Sequence, residues 1–427
     1  MEPAGTASTH LQPRRVVVTG MGMLTALGND VPTTWNNLVA GRSGIGTITR
    51  FDPVRLASRV AGEVKDFDPS VVLDRKEQRR TDRSVQYTLV ATRQAMDQAE
   101  LRGPLDGEMA DRTGVVIGSA LGGVQTLFDQ ARILGEHGPG RLSPFMVPMT
   151  IGNLTAGQVA ITFGATGPNF ALMSACASGG HAVGEAWEMI RRDDADMMFA
   201  GGTEAGLHEG QVGAFAAMRA LSTRNDDPPA ASRPFDRARD GFVIGEGAGV
   251  LVLEELAHAL ARGVTPLAEI VGYGATADAS HITRPAPGGM GAVKAVRRAL
   301  AKAGLTADDV DHVNAHATST PEGDRAELEA IHTIFGARAR DVSVTANKSM
   351  LGHTLGAAGA IEAIVTIQSL RSGIVPPTVN LHDPDKASSG LDLTPLEAQT
   401  QDMDVAVCNS FGFGGQNSAV VFRGWTR

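Results

Sequence analysis

Short β-branched runs that stop at glycine recur along this chain and alternate with helix-patterned stretches, a rhythm that points to an α/β fold. Arg14–Thr19 (RRVVVT) reads as the first strand, with Gly20-Met21-Gly22 as its closing turn. Helical spacing follows at Trp35–Leu38 and Gln86–Leu101. Thr113–Ile117 is a strand running into Gly118-Ser119-Ala120-Leu121-Gly122-Gly123. The strand Met197–Ala200 leads into Gly201-Gly202-Thr203-Glu204, and Asn225–Pro234 reads as a Pro/Asp-rich surface loop. Gly245–Gly249 then introduces the strand Val250–Leu253.

A second round starts near Leu267. Ala268–Gly272 echoes the opening strand, Val310–Asn314 echoes the strand before Gly118, and Val342–Thr345 precedes another small-residue helix. The glycine-rich run into Ala419-Val420-Val421 echoes the entry to Val250–Leu253. The pattern predicts an internal duplication of βα units. Two similar α/β halves, about 14–266 and 267–427, are expected to pack as one body.

One strand-to-helix turn carries a cysteine, in Ser174-Ala175-Cys176-Ala177-Ser178-Gly179-Gly180. Ala182, Val183, Ala186, Trp187 and Ile190 follow at the spacing of one helix face. A thiol at a helix N-terminus meets free N–H groups and the positive end of the dipole, which lowers its pKa. The same residue also reads as a buried cysteine packed as a small hydrophobe. Both readings stay open on this segment alone.

Bulk properties exclude several classes. Only Cys176 and Cys408 occur, so no disulfide framework is expected and a reducing cytoplasm is. Net charge is −9, against a general nucleic-acid binder. No apolar run approaches a membrane span. Met1–Pro13 lacks the core of a signal peptide and reads as a disordered start.

Three further segments carry polar residues at unusual places, each with a structural reading beside the functional one. A lone histidine past a strand is more often a structural hydrogen-bonder, and small residues suit close helix packing. Asn314-Ala315-His316-Ala317-Thr318-Ser319-Thr320-Pro321 sets a histidine just past a strand. Asn347-Lys348-Ser349-Met350-Leu351-Gly352-His353 leads into a small-residue stretch ending at Glu362. Lys348, His353 and Glu362 would each need a partner if buried. Asn409-Ser410-Phe411-Gly412-Phe413-Gly414-Gly415 is either a flexible turn or a loop whose N–H groups face a ligand.

The cysteine turn, NAHATSTP, NKSMLGH and NSFGFGG, in this order, resemble the elongating β-ketoacyl-[acyl-carrier-protein] synthases, type II above all, over essentially residues 14–424. The resemblance implies a thiolase-like fold of two related halves in five layers α-β-α-β-α, working as a homodimer. It implies that Cys176 takes an acyl chain as a thioester while the N–H groups of Cys176 and Phe413 form an oxyanion hole. His316 and His353 would hold the malonyl thioester oxygen through N–H, each tautomer fixed by a neighbour. Lys348 and Glu362 match the family's supporting pair, and Phe413 its gating phenylalanine.

By the same resemblance Leu121, Met146, Phe215 and Phe242 line the acyl pocket, and Phe411 joins the substrate-binding set. Thr283 and Thr318 meet the pantetheine arm. Arg219 and the cluster Arg75, Lys76, Arg79, Arg80 and Arg83 would meet an acidic acyl carrier protein, although such a charge run also reads as a solvated helix face. No metal and no cofactor of the protein's own is implied, since 4'-phosphopantetheine arrives on the carrier. Leu121 stands where the family often has isoleucine, Met146 where it often has an aromatic, and Leu207-His208-Glu209-Gly210 replaces a more apolar segment. These departures bear on chain length, not on the reaction.

Relatives with other chemistry leave different marks. A thiolase uses a second cysteine in its C-terminal glycine-rich loop, but here Cys408 precedes the loop Phe411–Gly415. A polyketide ketosynthase subunit would keep the same catalytic residues. A chain-length partner subunit would lack the nucleophile, and a cysteine hydrolase gives no use for two histidines and Lys348.

Overall fold

The computed structural model describes residues 14–426. The stretch 1–13, read above as a disordered start, lies outside the described residues. Ten strands form the main sheet. In chain order they are β1 (Val16–Leu24), β2 (Thr113–Gly118), β3 (Asn169–Leu172), β4 (Met197–Glu204) and β5 (Gly247–Glu255), then β6 (Ala268–Ala277), β7 (His312–Asn314), β8 (Ser343–Thr345), β9 (Val405–Gly412) and β10 (Gln416–Gly424). Their order across the sheet is β8-β7-β9-β10-β6-β1-β5-β4-β2-β3. Read outward from the centre, one side runs β1-β5-β4-β2-β3 and the other β6-β10-β9-β7-β8, the same path twice. Strand directions repeat too: in each round the inner pairs are antiparallel and the outer pairs parallel.

Within the sheet the two rounds join where Val16–Val18 pair with Ile270–Ala268. Helices α3 (Ser178–Arg191) and α6 (Ala358–Ser372) pack on strands of both rounds and on each other, so the sheet folds around them. On the outer faces, α1 (Arg83–Gln98) covers β1 and β5 with α2 (Asn153–Phe163) beside it, and α4 (Met290–Ala303) covers β6 and β10 with α5 (Pro321–Phe335) beside it. The result is the layering α-β-α-β-α of a thiolase-like fold. The central layer is close-packed through small residues: a Cβ on Gly359 would lie 2.5 Å from the Gly180 nitrogen. No helix among the described residues is long and apolar enough to cross a membrane.

Several boundaries move relative to the sequence expectation. Gly20 and Gly22 do not close β1, which continues to Leu24; a Cβ at either would collide with a carbonyl of α1, at Ala95 or Ala91. The glycines there permit close helix–sheet contact. Gly201 and Gly202 likewise lie inside β4, not after it. The helix expected at 86–101 begins at Arg83 because the Asp82 side chain caps it, accepting from the Ser84 amide. The helix expected at 35–38 spans Val31–Val39, capped by Asp30.

Candidate active site

The turn between β3 and α3 holds Cys176 behind a strained residue: Ala175 has φ +50°, a region that non-glycine residues seldom occupy. The helix expected after it is present, with Ala182, Val183, Ala186, Trp187 and Ile190 all buried. His316 lies just past β7, and His353 sits between the short helix Lys348–Leu351 and α6. His353 is tied by its backbone to Val243 and Gly245 of the first round. The Cys176 sulfur and ring nitrogens of His316 and His353 all fall within 4.8 Å of one another. The two imidazoles stand edge to face, their centroids 5.3 Å apart.

Burial sets the ionisation of this cluster. Cys176 is 9% exposed, and desolvation pushes its thiol up to about 11, against the opposing pull of Lys348 and the amides of Phe413 and Cys176 itself. The expected lowering by the helix N-terminus therefore does not prevail in the resting site. That effect is worth roughly 0.3–1 kcal/mol when exposed, and loss of water around a thiolate outweighs it. Both histidines are held well below their ordinary value by burial and by the Lys348 charge, so both are neutral at pH 7. Nδ1 of His316 and both ring nitrogens of His353 find no protein partner among the described residues. The expectation that a neighbour fixes each tautomer is thus not met; these nitrogens are left for what enters the site.

Lys348 and Glu362 are buried and bonded to each other. Burial raises the Glu362 carboxyl to about 7, with Lys348 opposing. Sequence reasoning missed two further buried carboxylates. Glu327 on α5 accepts the amides of His316 (2.8 Å) and Ala317 (2.7 Å), fixing the histidine turn, where Ala317 has φ +33°. Glu204, at the end of β4, accepts the amides of Ala120 (2.8 Å) and Gly356 (3.1 Å), and burial raises it to about 7. The signal for Glu327 was its place on the buried face of an amphipathic helix beside Leu328 and Ile331.

A cavity of about 630 Å³ opens onto the three residues. Leu121, Phe215, Phe242, Thr283, Thr318, Phe411, Phe413 and Arg219 are all in its wall. Phe242 stands edge-on to His353 (5.5 Å) and to Phe215 (5.3 Å), and Phe411 edge-on to His316 (5.7 Å). Met146 is not in the wall of this chain's own cavity, contrary to expectation; its helix Met146–Thr150 borders Ile151 and Val147, which are exposed. Arg75, Lys76, Arg79 and Arg80 are exposed on and just after the helix Arg75–Gln78, away from the cavity wall. Arg83 is half-buried, donating to the Tyr87 hydroxyl (2.9 Å) with its guanidinium over Phe67 and Tyr87.

Residues 13–259 match the model of the β-ketoacyl synthase N-terminal domain, and residues 267–382 that of the C-terminal domain. A 3-oxoacyl-[acyl-carrier-protein] synthase 2 of Synechocystis sp. is 48% identical over 97% of this chain and 99% of its own. One from Staphylococcus aureus is 49% identical over 96% of this chain and 99% of its own. Among solved structures, a β-ketoacyl synthase of Burkholderia phymatum superposes with a TM-score of 0.89 at 37% identity, covering 97% of this chain and all of the other. The ketosynthase of a type II polyketide synthase, solved with its acyl-carrier protein, gives 0.88 at 33% over the same shares. Matched over 96–97% of its length in sequence and in fold, the chain belongs to the β-ketoacyl synthase family of acyltransferases.

Proposed function

We propose that the protein lengthens an acyl chain by two carbons, condensing malonyl-[acyl-carrier protein] with an acyl group held on Cys176, in fatty acid elongation. The observation that carries the residue roles is the convergence of one thiol and two neutral imidazoles, with unpartnered nitrogens, at a mostly apolar cavity. In the first step the Cys176 sulfur attacks the acyl-carrier thioester. The thiol proton passes to the departing pantetheine sulfur, and the Cys176 and Phe413 amides stabilise the tetrahedral oxyanion.

In the second step malonyl thioester loses carbon dioxide. The electron pair of the broken C–C bond becomes an enolate, whose oxygen accepts N–H bonds from His316 and His353. Neutral imidazoles suit this work, since an imidazolium pair beside Lys348 would be strongly disfavoured. The enolate carbon attacks the acyl carbonyl, the C–S bond breaks, and the Cys176 thiolate takes a proton from solvent. Lys348 and Glu362 order the floor of the site, Phe413 on its glycine-flanked loop gates the acyl pocket, and Leu121, Phe215 and Phe242 line that pocket. Thr283, Thr318 and Phe411 border the pantetheine arm. The chemistry calls for no cofactor beyond the pantetheine of the carrier.

The same reading includes a cytoplasmic homodimer that docks an acidic carrier protein at Arg219 and the basic cluster around Arg79. Dimerisation is supported by β3, an edge strand with exposed Phe170, followed by exposed Met173, which lies against Gly152 next to exposed Ile151. Met146 lies by this face and would reach an acyl pocket only across it. Identity near half favours the fatty acid role over a polyketide one, whose solved relatives stand at 32–33%. The test is mass spectrometry of the enzyme after exposure to acyl-carrier thioesters, followed by malonyl-carrier. An acyl adduct on Cys176 that is discharged as 3-oxoacyl-carrier supports the reading; an adduct elsewhere overturns it.

A further inference from the structure

The trio that the condensation uses has a second chemical capacity. A thiol and two imidazoles with ligand atoms within 4.8 Å of one another are the donor set of a soft or borderline divalent cation. A tetrahedral zinc ion, bound at about 2.3 Å by sulfur and about 2.0–2.1 Å by nitrogen, holds one sulfur and two nitrogens roughly 3.3–3.6 Å apart. Closing the gap needs at most about 1.5 Å of side-chain movement by that comparison. No hydrogen bond holds the imidazoles back: His353 is 2% exposed, and neither of its ring nitrogens has a protein partner among the described residues. Nδ1 of His316 is equally unpartnered. The buried carboxylates of Glu327 and Glu362 lie close behind and offset the Lys348 charge toward an incoming cation. The cavity leaves a fourth ligand position open to water. Cys408 has no imidazole beside it, its sulfur meeting the Gly359 carbonyl at 3.9 Å and the Thr366 side chain.

We propose that Cys176, His316 and His353 form a latent transition-metal site that takes zinc in the unacylated enzyme and, when filled, blocks acyl loading. Metal binding stands on this geometry alone; the block rests on the role of Cys176 proposed above. As the metal–sulfur bond forms, the thiol proton leaves to solvent. An acylated Cys176 has no lone thiolate to give, so acyl groups and zinc exclude one another. Magnesium and calcium, which favour oxygen ligands, do not compete.

The test uses Co²⁺ as a spectroscopic stand-in, titrated into the full-length enzyme in thiol-free buffer. The expected result is one cobalt per chain, with a thiolate-to-cobalt charge-transfer band that added Zn²⁺ bleaches. Cys176→Ala should lose the band, and His353→Gln should weaken binding about tenfold or more. Wild-type enzyme alkylated at Cys176 provides a check free of folding artefacts and should also lose the band. Absence of the band in wild type, or its persistence after alkylation, overturns the metal site. Acyl loading is then measured with and without Zn²⁺. Loading that continues while cobalt binds as described would leave the metal site standing and overturn the acyl-acceptor role of Cys176.

Discussion

The two rounds of the sheet follow one path but carry different tenants at matching places. Past β2 the chain reaches Leu121, a wall of the cavity; past β7 it reaches His316. The β3–α3 turn holds Cys176, while the matching stretch from β8 to α6 holds Lys348 and His353. Between β9 and β10 lies the glycine-rich loop with Phe413, where the first round has the longer segment 205–246 carrying Phe215 and Phe242. In the proposed reaction the first round thus contributes the nucleophile, Cys176, and the apolar side of the cavity, including Phe215 and Phe242. The second contributes the polar donors. One topology brings both sets of strand ends to a common cavity, and substitution at those ends divides the labour. Folding around α3 and α6 is what makes the division useful, because each round alone would end in half a site.

The largest expected effect tests that division at the cysteines, one from each round. Cys176→Ala should abolish condensation, whereas Cys408→Ala, in the middle of β9, should leave turnover close to wild type. Rates of 3-oxoacyl-carrier formation for both variants decide it. Loss of turnover in a folded Cys408→Ala protein would break the assignment of the nucleophile to the first round. The resting thiol is raised to about 11, so alkylation of Cys176 should quicken about tenfold per pH unit from 7 to 9 without a plateau. A plateau near pH 7 would mean that the helix N-terminus prevails after all.

Next come the donors of the second round. Removing one preorganised donor to a developing oxyanion typically costs about 10²–10³ in rate. His316→Ala and His353→Ala should each lower condensation by that order, with acyl loading of Cys176 changed far less. Single-turnover loading and steady-state condensation, measured side by side, separate the half-reactions. Equal loss in both, in folded protein, would merge the two roles that the rounds are said to divide.

Residue types at strand ends were legible in the sequence; the forces acting on them were less so. Cys176, His316, Lys348, His353 and Phe413 stand out because each interrupts an apolar or glycine-rich run, and all five gather as the motifs suggest. The thiol's ionisation was not legible, since a strand-to-helix turn announces a dipole but not the degree of burial that opposes it. Gly20 and Gly201 were misread as turn residues because close approach of other backbone also demands glycine, that of a helix at Gly20 and that of the paired strand's Gly249 at Gly201. Glu327 and Glu204 act through backbone amides, which leave no mark in the sequence beyond a charge in an apolar setting. Met146 reads as a pocket residue only when the pocket is allowed to extend beyond one chain.

A smaller effect concerns the apolar wall. Leu121 sits on a turn that the Glu204 carboxylate holds through the Ala120 amide, so changing its side chain should not unravel the turn. One methylene in such a pocket is worth about 1–3 kcal/mol, roughly ten- to two-hundredfold. Leu121→Phe should shorten the accepted acyl range, and Leu121→Ala should extend it. Relative rates across short, medium and long acyl-carriers check this; equal losses at every length would return Leu121 to the core.

The smallest expected effect lies at the proposed docking surface, whose residues all belong to the first round. Arg79 and Arg80 are exposed in a chain of net charge −9, so their attraction for an acidic carrier is local. Arg83 is a poor probe of the same idea, because its bond to Tyr87 and its place over Phe67 mix stability into any reading. A rim ion pair contributes about 0.2–1 kcal/mol. Reversing both exposed charges should therefore raise the Michaelis constant for acyl-carrier roughly three- to tenfold at low salt. At high salt the difference should shrink, since the Debye length falls from about 10 Å at 0.1 M to about 3 Å at 1 M. Turnover at saturating carrier should stay unchanged, because the second round's donors are untouched. A variant that loses turnover instead would carry the docking surface into the chemistry, and one with an unchanged Michaelis constant at both salts would remove Arg79 and Arg80 from carrier recognition.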